Sequence, residues 1–306
     1  MKNIFAKHKS TSANQATAME RFKKKLTADY ILGVINNVLL IVLSLVMLYP
    51  IFYIFISAVS NPVNFREAIN ARKFLIIPQG FTMEYIVEHL TNRDIWRAYG
   101  NTALYTLLGT AISLFLSITC AYVLSRRGLK VIKVFTIIVV LTMWLKPGMI
   151  ATYTNIDNLG LMGNMLGILI PFAFSAYNVI LLRTYFAAIP TDIDESAQLD
   201  GASHFRMLTS IYIPASGPAI TTVGLFYAID RWNGYFWAEL VLQKDKLYPL
   251  QVLVKKLLQN TGDSGNLFEG TVSAYALIII AIVPIMIIFP FIQKYFKKGV
   301  MVGSVK

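Results

Sequence analysis

Residues 194–214 read DESAQLDGASHFRMLTSIYIP, an acidic, Gly-interrupted segment between two stretches long enough to cross a bilayer. Pro190 ends the apolar stretch before it. Asp192, Asp194 and Glu195 then crowd the first turn of the next helix, where the macrodipole favours negative charge. Thr191 followed three residues later by Asp194 has the form of a capping box with Asp in place of Glu, so a helix is expected to start there. On that helix Ile193, Ala197, Gly201 and Phe205 recur at intervals of four and form one face, while Glu195 and Gln198 lie on another. Gly201 in mid-pattern costs a helix about 1 kcal/mol relative to Ala, which points to a bend or a close backbone approach. Residues 202–211 can form a second helix, leading through Pro214 and Pro218 into the next apolar stretch. The expected product is a short helix, a bend and a second helix, projecting into water.

The rest of the chain supplies the body from which this element projects. Of its 306 residues 56% are hydrophobic and only 14% charged, against roughly 25% charged in soluble domains. An all-α integral membrane protein is expected, one helical bundle with no separate soluble domain. A charge at the bilayer centre costs roughly 2.5–3.5 kcal/mol on the most lenient scale, so charge-free windows mark the spans. They cover residues 30–65, 98–125, 134–156, 158–182, 207–229 and 270–293, the third carrying Lys146 near one end. Six transmembrane helices follow, with both termini on one side. The organisation is a basic segment 1–29, a membrane domain 30–294 containing the loop 187–216, and a tail 295–306.

Lys and Arg set the orientation. The dense cluster before Tyr30 and the acid-free loop 125–133 place both termini, and the 187–216 loop with them, in the cytoplasm. The first apolar stretch is much longer than the roughly 7–15 residues of a secretory h-region and reads as an uncleaved span. The net charge of +12 sits in short clusters beside apolar runs, where topology signals and anionic headgroups place it, so nucleic acid is not an expected partner. Lone Cys120 offers no disulfide framework, and His8, His89 and His204 form no metal-ligand spacing. No phosphate-binding G-x-x-x-x-G-K-[ST] and no G-x-S-x-G elbow occurs, so neither nucleotide hydrolysis nor other catalysis is expected.

Smaller features complete the reading. In the first outside loop Thr82 can cap a short helix, with Glu84 near its positive end and Ile86, Val87 and Leu90 as an apolar turn. Lys146-Pro147 interrupts the third span, where a lysine can snorkel to headgroups. Pro171, Pro284 and Pro290 suggest kinks. At the outer end of the fifth span, residues 230–239 read DRWNGYFWAE, combining charges, an amide and four of the chain's aromatic rings. Asp230, Trp232, Asn233 and Trp237 can line a solute path, since flat rings stack on sugar faces and polar groups bond hydroxyls. The same residues also suit an interfacial aromatic belt with Asp230 paired to Arg231 or to another helix.

Glu195-Ser196-Ala197, three residues, Gly201, nine residues, then Ile211-x-Ile213-Pro214 resembles the E-A-A, x3, G, x9, I-x-L-P signature of ABC importer permeases, with Ser196 for Ala and Ile213 for Leu. FTMEYI, LGLMGNMLGILIP at 159–171, RWNGYFWAELVL at 231–242 and KYFKKGVMVGSVK at 294–306 are similar to stretches of the carbohydrate permeases, those for oligosaccharides and complex glycans above all. The resemblance implies a type I importer fold and a loop that acts as a coupling helix, docking in a groove of a separate ATPase with Glu195 as polar anchor and Gly201 as bend. It implies further partners: a second, non-identical permease, two ATPase subunits holding ATP and Mg, and an extracellular solute-binding protein in a bacterial cytoplasmic membrane. A stand-alone carrier or channel would want ionisable residues in mid-span, which the windows lack; a membrane scaffold recruiting a soluble partner is the other alternative.

Overall fold

The computed structural model describes residues 2–126, 130–145, 147–260 and 267–304, and every regular element among them is a helix or helical turn. In chain order these are α1 (Lys2–Ala58), α2 (Pro62–Asn70), α3 (Glu84–Thr91), α4 (Arg93–Ser125), α5 (Lys130–Trp144), α6 (Met149–Asn158), α7 (Leu166–Leu169), α8 (Ala176–Ala187), α9 (Thr191–Leu199) and α10 (His204–Met207). A π turn (Leu208–Tyr212) then leads to α11 (Ile213–Ala215), α12 (Gly217–Asn233), α13 (Phe236–Leu242), a 3-10 turn (Asp245–Leu247), α14 (Leu250–Asn260) and α15 (Leu267–Ser304).

Three of these contain stretches long and apolar enough to cross a membrane on their own: Tyr30–Ala58, Arg93–Ser125 and Gly270–Ile287. The first stops at Ala58, short of the expected 65, because Asn61 caps α2, accepting the Val63 amide at 3.0 Å with Pro62 in the first turn. The third expected span is a bent pair, α5 and α6 meeting at 116°. Lys146, like Arg127 and Lys306, lies outside the described residues.

The fourth and fifth expected spans are shorter helices than their apolar windows. The fourth divides into α7 and α8 around Pro171, which is a full break and not a kink, and α8 restarts at Ser175, whose hydroxyl accepts the Asn178 amide. Pro218 stands in the first turn of α12, and the stretch before it is divided among α10, the π turn and α11. Pro284 and Pro290, by contrast, sit inside a continuous α15.

Lipid tails are as apolar as leucine, so helices in a membrane associate through close packing of small residues and through hydrogen bonds. Helix α4 shows both. Its buried face runs Ala98, Thr102, Tyr105, Gly109, Ser113, Ser117 and Ala121, spaced three or four apart, and lies against α8 and α12. Gly224 of α12 lets Leu114 approach so closely that a Cβ there would sit 3.1 Å from Leu114 Cδ1. Ser117 and Tyr227 share a buried hydrogen bond of 2.6 Å, and the Tyr227 hydroxyl also accepts the Ser175 amide at 3.1 Å, tying α4, α8 and α12 together. Helix α1 packs on α15 and is otherwise exposed along most of its apolar length.

At the far end, opposite the loop, Thr102 accepts the Leu250 amide at 2.9 Å and the Tyr105 hydroxyl donates to the Leu247 carbonyl at 2.9 Å, which seats α14 on α4. The short helix α3 forms with Thr82 accepting the Glu84 amide at 3.2 Å. Its packed side is Tyr85 and His89, the latter 2.8 Å from the Ser273 carbonyl, while Val87 and Leu90 of the expected apolar turn face outward.

Candidate functional site

The loop 187–216 folds as a rigid elbow. Helix α9 begins directly after Pro190, which as N-cap offers no side-chain acceptor. Thr191 is therefore a residue of the first turn, and the expected capping box with Asp194 does not form. At the other end Gly201 has φ +73°, a left-handed conformation that costs an L side chain about 1–2 kcal/mol. The Gly201 amide bonds the Gln198 carbonyl at 3.0 Å and the Ala202 amide the Ala197 carbonyl at 2.9 Å, the paired bonds of a Schellman stop. No heavy atom lies within 4 Å of where a Gly201 Cβ would stand, so the glycine serves the bend and not a close approach.

The second arm opens with Ser203, which accepts the Arg206 amide at 3.3 Å. After α10 the helix widens into the π turn, where the Ile213 amide reaches back to the Leu208 carbonyl. Pro214 has no amide to give Ser210, and its ring crowds the carbonyl four residues back, so a wider turn is a natural accommodation. Ile211 and Ile213 are half-buried against the α4–α8–α12 core, and Pro214 is exposed.

Along the elbow Glu195 and Ser196 are exposed, with the Ser196 hydroxyl turned back to the Asp192 carbonyl at 2.7 Å, and Ala197 is half-buried. The turn at Gly201 divides the face that sequence spacing drew through Ile193, Ala197, Gly201 and Phe205. What the elbow presents to solvent is Glu195 together with Leu199, 89% exposed, and Phe205, 75% exposed.

The inner side of the elbow is occupied by a cluster. The Arg126 guanidinium, just past the end of α4, donates to Asp194 Oδ2 and to the Tyr122 hydroxyl. The Tyr212 hydroxyl donates to Asp194 Oδ1 at 2.8 Å. Arg126 Cζ lies 4.2 Å from the Tyr122 ring centre and 4.9 Å from that of Tyr212, and Phe186 of α8 meets Tyr212 edge-on at 5.5 Å. His204 Nδ1 stands 3.2 Å from the Tyr122 hydroxyl, bringing α10 into the same group.

At the far end a cavity of about 200 Å³ is lined by Thr102, Tyr105, Phe172, Asp230, Asn233 and Trp237 among others. Trp237 packs on Phe172 with ring centres 5.2 Å apart. Trp232 is not part of this lining; its ring turns to Tyr99, 6.3 Å away, so the four residues that sequence placed on one path do not share one wall. Asp230 and Arg231, one of the pairings that the sequence allows, form no close ion pair among the described residues. Arg231 donates instead to the carbonyls of Ile168, Leu169 and Phe172, which the break at Pro171 leaves without helical partners. Its Nε has no partner and lies over Gly109, where a Cβ would come within 3.0 Å of it.

Residues 16–302 match the family model described as the inner membrane component of binding-protein-dependent transport systems. The chain belongs to that family. The permease is 35% identical over 261 residues to the polygalacturonan/rhamnogalacturonan transport system permease protein of Bacillus subtilis, covering 82% of this chain and 91% of the relative. It is 27% identical over 270 residues to the arabinooligosaccharides transport system permease protein of the same organism, covering 86% and 92%. Among solved structures, a chain of a bacterial ABC transporter involved in the import of the acidic polysaccharide alginate superposes with a TM-score of 0.79 at 36% identity, covering 88% of the permease and 98% of that chain.

Sequence reading of the permease missed the two arginine clusters. Arg126 lies in the basic loop that sets topology and Asp194 in an apparent capping box, so each had a sufficient local explanation. The signal for their pairing was aromatic: Tyr122, Phe186 and Tyr212 stand near helix ends far apart in the chain, where isolated tyrosines and phenylalanines are too common to single out.

Proposed function

We propose that this permease forms half of the translocation path of an ATP-driven carbohydrate importer and takes its driving force through α9, docked on a separate ATPase. The observation that carries this reading is the elbow: Glu195, Leu199 and Phe205 stand exposed on two short helices whose angle is closed by main-chain bonds. Apolar side chains held out in water beside a carboxylate suit a cleft with a basic rim, and a rigid rod transmits displacement into α8 and α12. In this reading the elbow and both termini are cytoplasmic, in agreement with the Lys and Arg distribution, and the protein sits in a bacterial cytoplasmic membrane. ATP and Mg are held and hydrolysed by two ATPase chains, a second and different permease completes the path, and an extracellular binding protein delivers solute, as the family's description suggests.

The solute is an oligosaccharide or glycan fragment, in keeping with the polygalacturonan/rhamnogalacturonan, arabinooligosaccharide and alginate systems of its relatives. The far-end cavity is smaller than the roughly 300–1,000 Å³ of sites that enclose drug-sized ligands. It would hold one sugar unit of a longer chain, stacked on Trp237 and bonded by Asp230 and Asn233.

Reconstitution in proteoliposomes tests the reading with labelled galacturonate and arabinose oligosaccharides as probes. Uptake should require the ATPase, ATP, both permeases and the binding protein, and Glu195→Lys should weaken ATPase association and uptake together. Uptake by this chain alone would make it a carrier, and no uptake in any combination would make it a scaffold.

A further inference from the structure

We infer that Arg126 is a positioning residue for energy coupling: it locks the α9 elbow to α4, so that a push on the loop reaches the second span as well as the fourth and fifth. The inference rests on the docking reading above. By chain path the loop is continuous only with α8 and α12, and no covalent link joins it to α4. Arg126, at the end of α4, supplies a non-covalent link in its place. Its Nη1 donates to Asp194 of the first arm and its Nη2 to the Tyr122 hydroxyl of α4, which in turn meets His204 of the second arm. Both arms of the elbow are thereby tied to the same helix end. The Arg126 and Asp194 side chains are only 14% and 19% exposed, which spares them the screening that weakens surface ion pairs. Arg183 of α8 adds a bond from its Nε to the Leu124 carbonyl at 2.9 Å, so the end of α4 is held on two sides. A lysine could not reproduce the arrangement. Its point charge lacks the planar fork that serves two acceptors while lying against two rings.

The experiment reads motion at the far ends of two spans. A spectroscopic label is placed at Ala103 of α4 or at Ile229 of α12 in a Cys120→Ser background, and the complete importer in liposomes is trapped with ATP and vanadate. Unmodified at position 126, it should show a response at both labels. In Arg126→Gln, and independently in the isosteric Asp194→Asn, the Ala103 response should fall about tenfold, the scale of one lost charge-assisted hydrogen bond, while the Ile229 response and ATPase association persist. Arg126→Lys should restore the Ala103 response only in part. Undiminished response at Ala103 in the Gln and Asn variants, or equal loss at both labels, would overturn the inference alone. Silence at both labels with Arg126 and Asp194 intact would overturn the docking reading, and this one with it.

Discussion

The permease keeps two arginines in protected positions along α4, one just past its last turn and one against its middle, and it compensates them in different ways. Arg126 faces a carboxylate and two aromatic rings; Arg231 faces three carbonyls at a broken helix. Arg126 follows the last turn of α4, and Arg231 packs over Gly109, seventeen residues earlier, which is roughly 25 Å of helix axis. The carboxylate belongs to a separate element, so under the coupling inference the loop-end pair is a joint between moving parts. The carbonyls are main chain of the break itself, so Arg231 is part of the scaffold and makes an interrupted span tolerable in lipid. A cation near an apolar environment is thus informative through its partner: a side-chain anion on another element marks a coupling, backbone dipoles mark a repair.

That distinction is open to direct attack. The largest effect is expected for Arg231→Met, which leaves three carbonyls without donors at about 1–3 kcal/mol each and should lower stability by at least about 3 kcal/mol. Thermal unfolding in detergent should show a drop of many degrees and reduced folded yield. A milder disturbance of the same clamp is Gly109→Ala, whose new methyl would sit 3.0 Å from Arg231 Nε, 3.1 Å from its Cδ and 3.3 Å from Leu169 Cδ2. Overpacking of this kind costs about 1–3 kcal/mol and should again appear in the melting curve. The smallest change in stability is expected at the joint. Tyr212→Phe removes one hydrogen bond to the Asp194 carboxylate while keeping the ring; Asp194 retains Arg126 and some access to water, which holds the loss to about 1.5 kcal/mol, the low end for a bond to a charged group. Its melting temperature should hardly move while oligosaccharide uptake falls. Were Tyr212→Phe to destabilise the protein more than Gly109→Ala, the assignment of scaffold and joint would have to be exchanged.

Much of the fold was legible because the membrane imposes few solutions. Charge-free windows located the spans in order, and Gly201 with Pro214 located the turn and the end of the loop. The helix breaks were harder to read. Pro171 looks like prolines 284 and 290, which sit inside a continuous helix, and what makes a full interruption tolerable at Pro171 is a guanidinium sixty residues further on that satisfies the freed carbonyls. The elbow's outward face followed from local pattern in part, since Glu195 is where spacing placed it, but the bend redistributed its apolar residues. Its inward face depended on Arg126, Tyr122 and Tyr212, each unremarkable within its own segment. Trp232 shows a different limit: of the four residues grouped on one path, Asp230, Asn233 and Trp237 line the far-end cavity, while the Trp232 ring packs towards Tyr99.

The Schellman stop at Gly201 separates two properties that are usually inherited together. Its angle is written in amide-to-carbonyl bonds and one left-handed glycine, so the identities of Gln198, Leu199 and Ala202 hardly enter into it. On the docking reading proposed above, mutations at exposed Gln198 and Leu199 can redraw the contact surface offered to an ATPase while the elbow keeps its shape. Paralogous permeases built on the same corner could then share or exchange ATPases by surface changes alone.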